Sequence, residues 1–397
     1  MPVVYIIGTC DTKNLELNFA KECVRKGGVD AVIVDVSTMP HQFSPDVAAE
    51  TVAACHPEGV SAVLGLADRG QAVGAMSEAL ANYLDDHPDV DAVLGLGGSG
   101  NTAIVTAGMR ALPVGIPKLM VSTMASGNVA PYVGPTDIAM MYSVADIAGL
   151  NAISSRIISN AAHAAAGMAR ADFVPGETGK PSVGMTMFGV TTPCISAVRE
   201  ELENEYECFV FHATGTGGQS MEKLVDSGLM RGCIDITTTE VADFLVGGVL
   251  PCTDDRFGSI IRTQIPYVGS VGAVDMVNFG ARETVPEKFN ERLFHVHNPQ
   301  VTLMRTTADE NRAIGEWIVE RLNRMSGPIR FLLPLKGVSA IDTEGGPFHD
   351  TEADEALFNA IREGWVSAPD RKLIEIDAHI NDGDFADSVV EAYREIS

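Results

Sequence analysis

Two short stretches hold residue types that can bind an anion. In Gly95-Leu-Gly-Gly-Ser-Gly100 four glycines fall within six residues. The apolar run from Ala92 to Leu96 reads as a buried strand before them, and Thr102-Ala-Ile-Val-Thr-Ala-Gly-Met-Arg110 resumes at helical spacing after them. Strand, glycine loop and helix is the order that binds phosphate: glycines admit an anion close to the backbone, and the free N–H groups and dipole of the following helix favour negative charge. The same residues would also make a tight strand-to-helix turn with no ligand. The loop has neither the Gly-Lys-Ser/Thr of a Walker A motif nor the full spacing of a dinucleotide fingerprint.

The second stretch is Gly8-Thr-Cys-Asp-Thr-Lys13, which follows the β-branched run Val3-Val-Tyr-Ile-Ile7. It offers hydroxyls at Thr9 and Thr12, a carboxylate at Asp11 and an ammonium at Lys13, at the strand end where open α/β sheets place ligands. Asp11 or Thr12 could equally cap the helix expected over 14–26. A second strand over 31–36 ends at Asp35, Ser37 and Thr38, and an acidic residue there can meet a ribose or a base edge. Arg69 opens a helix running to Leu84. A cation at that end needs a carboxylate or a phosphate nearby, so a surface ion pair is the competing reading.

These residues need strands and helices in alternation to hold them. The pattern predicts a further strand at 117–124 running into Ala125-Ser-Gly-Asn128, and the proline-bearing stretch after Thr38 reads as a surface excursion. From Ser143 to Ala171 the chain is alanine-rich and reads as helical, either a domain connector or an oligomer contact. Asp172-Phe-Val-Pro-Gly-Glu-Thr-Gly-Lys-Pro181 is a composition break expected to be a linker between domains at 1–171 and 182–397. The second domain reads as strands at 183–189, 208–213, 233–236, 267–271, 329–334 and 372–378. Between them lie helices at 194–204, 219–227, 308–325 and 385–395, with a second glycine loop at 214–218. Both halves are therefore expected to be α/β, doubly wound, with mainly parallel sheets. In the second half His212, Glu240 and His379 stand at strand ends as candidate acids or bases. His212, His297 and His379 could also meet at one crevice, although spacing does not bring them together.

Composition narrows the function classes. The 397 residues exceed what one core usually organises, so two domains are expected. A net charge of −25 argues against generic nucleic-acid or anionic-membrane binding, and a small phosphate ligand would need local Lys, Arg, helix ends or Mg²⁺. Seven cysteines without a C-x-x-C spacing fit reduced thiols, and no signal peptide or long apolar span is visible, so a cytoplasmic location is expected.

Eight stretches together resemble the UPF0261 family: Gly8-Thr-Cys-Asp-Thr-Lys13, Asp35-Val-Ser-Thr38, Arg69-Gly-Gln71, Gly95-Leu-Gly-Gly-Ser-Gly100, Met185-Thr-Met-Phe-Gly-Val-Thr-Thr-Pro-Cys194, Phe211-His-Ala-Thr-Gly215, Asp235-Ile-Thr-Thr-Thr-Glu-Val-Ala-Asp243 and Asp275-Met-Val-Asn-Phe-Gly280. The resemblance covers essentially the whole chain. It implies two Rossmann-like subdomains, a site for ATP with Mg²⁺ in the first, and homodimers or larger even oligomers. Position 10 departs from the pattern, with Cys10 where the family has alanine. Carried over residue by residue, the nucleotide site would comprise Thr9, Cys10, Asp11, Thr12, Lys13, Thr38, Arg69, Gly97, Gly98, Ser99 and Gly100. The loop amides and Ser99 would meet phosphates, Lys13 and Arg69 would neutralise charge, and Asp11 would aid Mg²⁺. Two functions then stand open. One is an ATP-dependent enzyme acting on a small metabolite in the cleft between the domains, with His212, Glu240 or His379 as acid or base. The other is a non-catalytic nucleotide-binding regulatory or scaffold protein.

Overall fold

The computed structural model describes residues 2–87, 89–171 and 179–397. It divides into two compact units, Met1–Gly176 and Glu177–Ser397. Most of the linker expected at 172–181 lies outside the described residues.

In the first unit, strands β1 (Val3–Gly8), β2 (Asp30–Asp35), β3 (Ala92–Gly97), β4 (Lys118–Ser122) and β5 (Ile138–Tyr142) form one sheet in the order β2-β1-β3-β4-β5, parallel throughout. The helices are α1 (Cys10–Lys26), α2 (Ala49–Ala53), α3 (Arg69–Asp85), α4 (Ser99–Ala111), α5 (Ala130–Val133) and α6 (Ala152–Ala169). Alternation along β1 shows why the sheet is covered on both faces. Val4 and Ile6 join the core under α1 and α6, while Tyr5 and Ile7 join the core under α3 and α4. The chain leaves β1 for β2 on one side and then returns past β1 to β3 on the other. The loops after β1 and β3 therefore diverge and open a crevice between them.

Several sequence expectations change here. Residues 143–151 are not helical; they form the loop into α6, and Ile138–Tyr142 is a fifth strand. The proline-bearing stretch contributes Val52, Ala53 and Val63 to the core, each fully buried. Four alanines of α6 face inward: Ala161, Ala162, Ala165 and Ala166 are buried on the side of α1, where a Cβ on Gly27 would lie 2.9 Å from that of Ala166. Small side chains are needed there because two helices meet at close range within the unit.

In the second unit, β6 (Ser182–Met187), β7 (Glu207–His212), β8 (Gly232–Thr237), β9 (Tyr267–Gly272), β13 (Ile329–Pro334) and β14 (Arg371–Ile376) make a parallel sheet ordered β14-β13-β9-β8-β6-β7. Between β9 and β13 the chain adds an unforeseen antiparallel sheet of β10 (Met276–Phe279), β11 (Phe294–Asn298) and β12 (Val301–Arg305). The helices are α7 (Thr192–Leu202), α8 (Thr216–Asp226), α9 (Thr239–Val246), α10 (Gly258–Thr263), α11 (Ala308–Arg324), α12 (Thr351–Gly364) and α13 (Gly383–Ile396). Of these, α9, α10 and α12 were not read from the sequence. The α12 signal was present: the Asp350 side chain accepts from Ala353 N, and Ala353, Leu357, Phe358 and Ile361 are buried at helical spacing.

All seven cysteines are free thiols; Cys55 and Cys208 are half-buried and the other five are buried. Titration of the native protein with an aromatic disulfide should label Cys55 and Cys208 first, and the remaining five only on unfolding. The α1–α6 contact should be equally readable. Ala166→Leu is expected to cost about 1–3 kcal/mol by overpacking against Gly27, seen as a lower denaturant midpoint.

Candidate functional site

The crevice between β1 and β3 holds a cavity of about 440 Å³ lined by Thr9, Asp11, Thr12, Lys13, Thr38, Arg69, Gly98, Ser99 and Gly100. Register explains how the loop after β1 reaches it. Gly8 pairs with Asp35 across the β1–β2 ladder, so the Asp35 carboxylate lies beside the start of α1. There it accepts Cys10 N at 2.9 Å, Ser37 N at 3.0 Å and Ser37 Oγ at 2.6 Å. Asp11 N donates to Ser37 Oγ, and the amides of Thr12 and Lys13 return to Thr9 O. The first amides of α1 are thus all bound internally, and this loop presents side chains to the cavity.

The loop after β3 is built the other way. Gly98 caps α4 without a side-chain hydrogen bond, and among the described residues no group accepts from the amides of Ser99, Gly100 or Asn101. Thr102 steadies the loop, its Oγ1 donating to Gly98 O at 2.8 Å and meeting Ser122 Oγ at 2.6 Å. The glycines have separate reasons. A Cβ on Gly97 would strike Asn101, so Gly97 permits the strand and helix to pack. Gly98, at φ −88° and ψ −165°, is in extended backbone open to any residue, and a Cβ there would meet only Thr123 Oγ1, at 3.8 Å. Neither packing nor backbone strain demands glycine at that position; an approaching ligand would.

Two cations, Lys13 and Arg69, and two carboxylates, Asp11 and Asp146, line the site. Among the described residues the side chains of Lys13 and Arg69 have no ion pair or hydrogen bond. Arg69 opens α3 after the cap at Asp68, whose carboxylate accepts Gln71 N, and its Nη2 reaches to 3.7 Å from a Cβ placed on Gly100. Lys13 occupies a non-helical kink in α1 at φ −128° and ψ 16°. Asp11 Oδ1 is buried with no hydrogen-bond partner, which points to a missing donor or cation. Among the described residues no group of three His, Cys, Asp or Glu could hold a metal by itself.

Two of the expected site residues, Cys10 and Gly97, do not lie on this lining. Cys10 is fully buried away from the cavity, and burial, then Asp35, pushes its thiol up to about 12. Gly97 is likewise buried and off the lining. Both oxygens of Asp35, read from the sequence as a possible ribose or base contact, already have partners inside the protein, Oδ2 with His41 Nε2 at 2.6 Å. Sequence reading missed Met39, Leu66, Val73, Asn101, Ile104 and Asp146 on the lining. Val73 and Ile104 were findable, each four residues after a named site residue and so on the same helix face.

The second unit treats its corresponding features differently. Glu240 is fully buried, accepting Arg256 Nε at 2.5 Å and Gly215 N at 2.7 Å. The same guanidinium also bonds Glu222 and Asp235, each at 2.8 Å. Burial raises the Glu240 carboxyl, with Arg256 opposing, yet leaving Arg256 unpaired would be costly, so Glu240 acts as an ion-pair partner. His379 has both ring nitrogens engaged: Nδ1 accepts Asn381 N at 3.1 Å, and Nε2 donates to Ser339 O at 2.8 Å. His212 is exposed beside Phe188, ring centroids 5.1 Å apart. In the second glycine loop, a Cβ would strike Pro251 O from Gly215, His212 O from Gly217 and Glu240 from Gly218. That loop is glycine-rich because protein already fills the space around it. Among the described residues no helix is long and apolar enough to cross a membrane.

Comparison with known proteins fits this division. Residues 2–173 match the N-terminal domain, and residues 180–397 the C-terminal domain, of the Uncharacterised protein family (UPF0261). The chain is 56% identical to a UPF0261 protein of Rhizobium meliloti over the full length of both. It is 43% identical to the ToMV resistance protein Tm-1(GCR237) of Solanum lycopersicum, in a match spanning all of this chain and 56% of that protein. The ToMV susceptible protein tm-1(GCR26) of the same plant is 42% identical with the same coverage. With both of its domains matched and a full-length relative above half identity, the chain belongs to the UPF0261 family.

Proposed function

We propose that the first unit binds ATP with Mg²⁺ at the crevice between β1 and β3. The observation that carries this reading is the convergence of two unpaired cations, Lys13 and Arg69, with three free amides at the start of α4 on one cavity, in a chain of net charge −25. The amides of Ser99, Gly100 and Asn101 would donate to phosphate oxygens, and Lys13 and Arg69 would offset their charge. Mg²⁺ arriving with the nucleotide would supply positive charge against the phosphates. Asp11, with its orphaned oxygen, is the carboxylate suited to hold it, directly or through water. One protein carboxylate suffices when the phosphates supply the remaining ligands.

Nucleotide binding without turnover is favoured over chemistry at the three candidate residues, since Glu240 and His379 are committed to internal partners and only His212 keeps an exposed ring. Antiviral action is not part of the proposal. Identity is nearly the same to the resistance protein as to the susceptible one, 43% against 42%, so resistance does not follow from the shared sequence.

Thermal denaturation with and without ligand tests the site. Mg-ATP at about 100 times its dissociation constant should add roughly 2.7 kcal/mol of apparent stability, with a smaller gain when Mg²⁺ is withheld. Arg69→Ala and Lys13→Ala should each weaken binding by about 1.5–3 kcal/mol, the scale of a charge-assisted hydrogen bond, and leave the unliganded melting temperature unchanged. Gly98→Val should remove the shift while the apo protein stays folded, because its side chain enters open space. If both charge variants bind Mg-ATP as tightly as the parent protein, the site lies elsewhere.

A further inference from the structure

A second cavity of about 450 Å³ lies beside the first and shares Thr38, Met39 and Leu66 with it. We propose that this cavity is a base subsite that takes purines by apolar contact and discriminates little between adenine and guanine. The inference rests on the nucleotide reading above: a ligand with its phosphates at the glycine loop can extend past the shared wall into the neighbouring space.

Apart from Thr38 and Glu50, the hydrogen-bonding side chains on this cavity are already used. Asp35 Oδ1 accepts from Cys10 N, Ser37 N and Ser37 Oγ, and Oδ2 faces His41 Nε2. Ser37 Oγ also accepts Asp11 N. His41 Nδ1 accepts Phe43 N at 3.1 Å, so the ring proton is on Nε2 and is given to Asp35. None of these groups is left to read a base edge. The remaining charged group is Glu50, an exposed carboxylate that can only accept. Adenine offers it an amino group and guanine an amino group and a ring N–H, so it does not separate the two. Site-built discrimination of a base needs donors and acceptors paired in fixed positions, and the lining side chains offer only the rotatable Thr38 hydroxyl, which can donate or accept to either purine, and the Glu50 carboxylate.

Apolar surface remains available. Met39 is 63% exposed and Phe43 48% exposed, large side chains at the cavity that the fold does not cover. Phe43 is held in place nonetheless, its ring 5.7 Å from that of His41 and its amide bonded to it. A flat base laid on these side chains gains in proportion to its area, which favours two rings over one.

Competition binding to the full chain with Mg-ATP, Mg-GTP, Mg-UTP and Mg-tripolyphosphate tests this. ATP and GTP should bind within roughly ten-fold of each other and UTP more weakly, because stacking depends little on base identity but does depend on area. Phe43→Ala and Met39→Ala should weaken ATP and GTP in parallel, by roughly ten-fold for the aromatic, with tripolyphosphate unchanged. A preference for ATP over GTP of roughly a hundred-fold or more would overturn the inference, since it requires hydrogen-bond readout. So would a Phe43→Ala protein that binds ATP normally, or one that loses tripolyphosphate equally. Tripolyphosphate binding with no gain from a base would sink the subsite alone. No binding of any probe would sink the nucleotide reading and this inference together.

Discussion

The buried carboxylate of Asp35 is the constraint on which the first unit's site depends. A carboxylate with 1% exposure is tolerable only if its oxygens are satisfied, and three donors on one oxygen with His41 on the other achieve this. The donors come from two loops, so satisfying the charge fixes both. One consequence is a division of labour: α1 spends its first amides inside the protein and shows side chains to the cavity, while α4 keeps its amides free. Another is that the wall between the two cavities, near Thr38, is anchored at the residue after the hydrogen-bonded Ser37.

The second unit repeats the winding without repeating the site. Its strands β7, β6 and β8 stand in the same relation as β2, β1 and β3, so it too has a switch point. That position is filled by threonines: Thr186, Thr191 and Thr237 are fully buried, and the hydroxyls of Thr191 and Thr237 meet at 2.8 Å. Beside it, Arg256 gathers Glu222, Asp235 and Glu240 in the interior, and burial pushes the Glu222 carboxyl up to about 7 against the pull of the guanidinium. Breaking such a group by removing one partner typically costs about 3–5 kcal/mol. These charges hold strand ends and the 212–218 loop together, so the shared winding does not by itself give the two units the same site.

Much of this was legible in the sequence, for a physical reason. Parallel strands covered on both faces read as short apolar runs, and the loops at their ends had distinct chemistry, so the βα units and most of the cavity lining emerged before any coordinates. What failed were properties set by orientation and partners. Cys10 sits in the loop but turns inward; Gly97 and Gly98 are adjacent, yet one is needed for Asn101 and the other faces open space. Asp35 looked like a ligand contact because a sequence shows its charge and not the donors that occupy it. The same holds for Glu240 and His379. The β10–β12 sheet escaped because its strands are four or five residues long and pair locally, leaving little periodicity to detect.

Charge balance gives the clearest reason why Lys13 and Arg69 bear on function. The chain has 53 acidic side chains and 28 Lys and Arg, so a basic group has carboxylates in excess to pair with. Many do pair, among them Lys21 with Asp46 at 2.6 Å and Lys118 with Asp137 at 2.7 Å. Arg69 instead stands at the start of α3, where the helix dipole opposes a cation by several tenths of a kcal/mol. An anion placed between α3 and α4 turns that penalty into attraction and meets the α4 amides at the same time. Because the Debye length is about 10 Å at 0.1 M salt, these two cations act only at short range inside a negative surround. Under the proposed function, a compact triphosphate carrying its own Mg²⁺ fits within that range, whereas a phosphate polymer would lie across the repulsive surface as well.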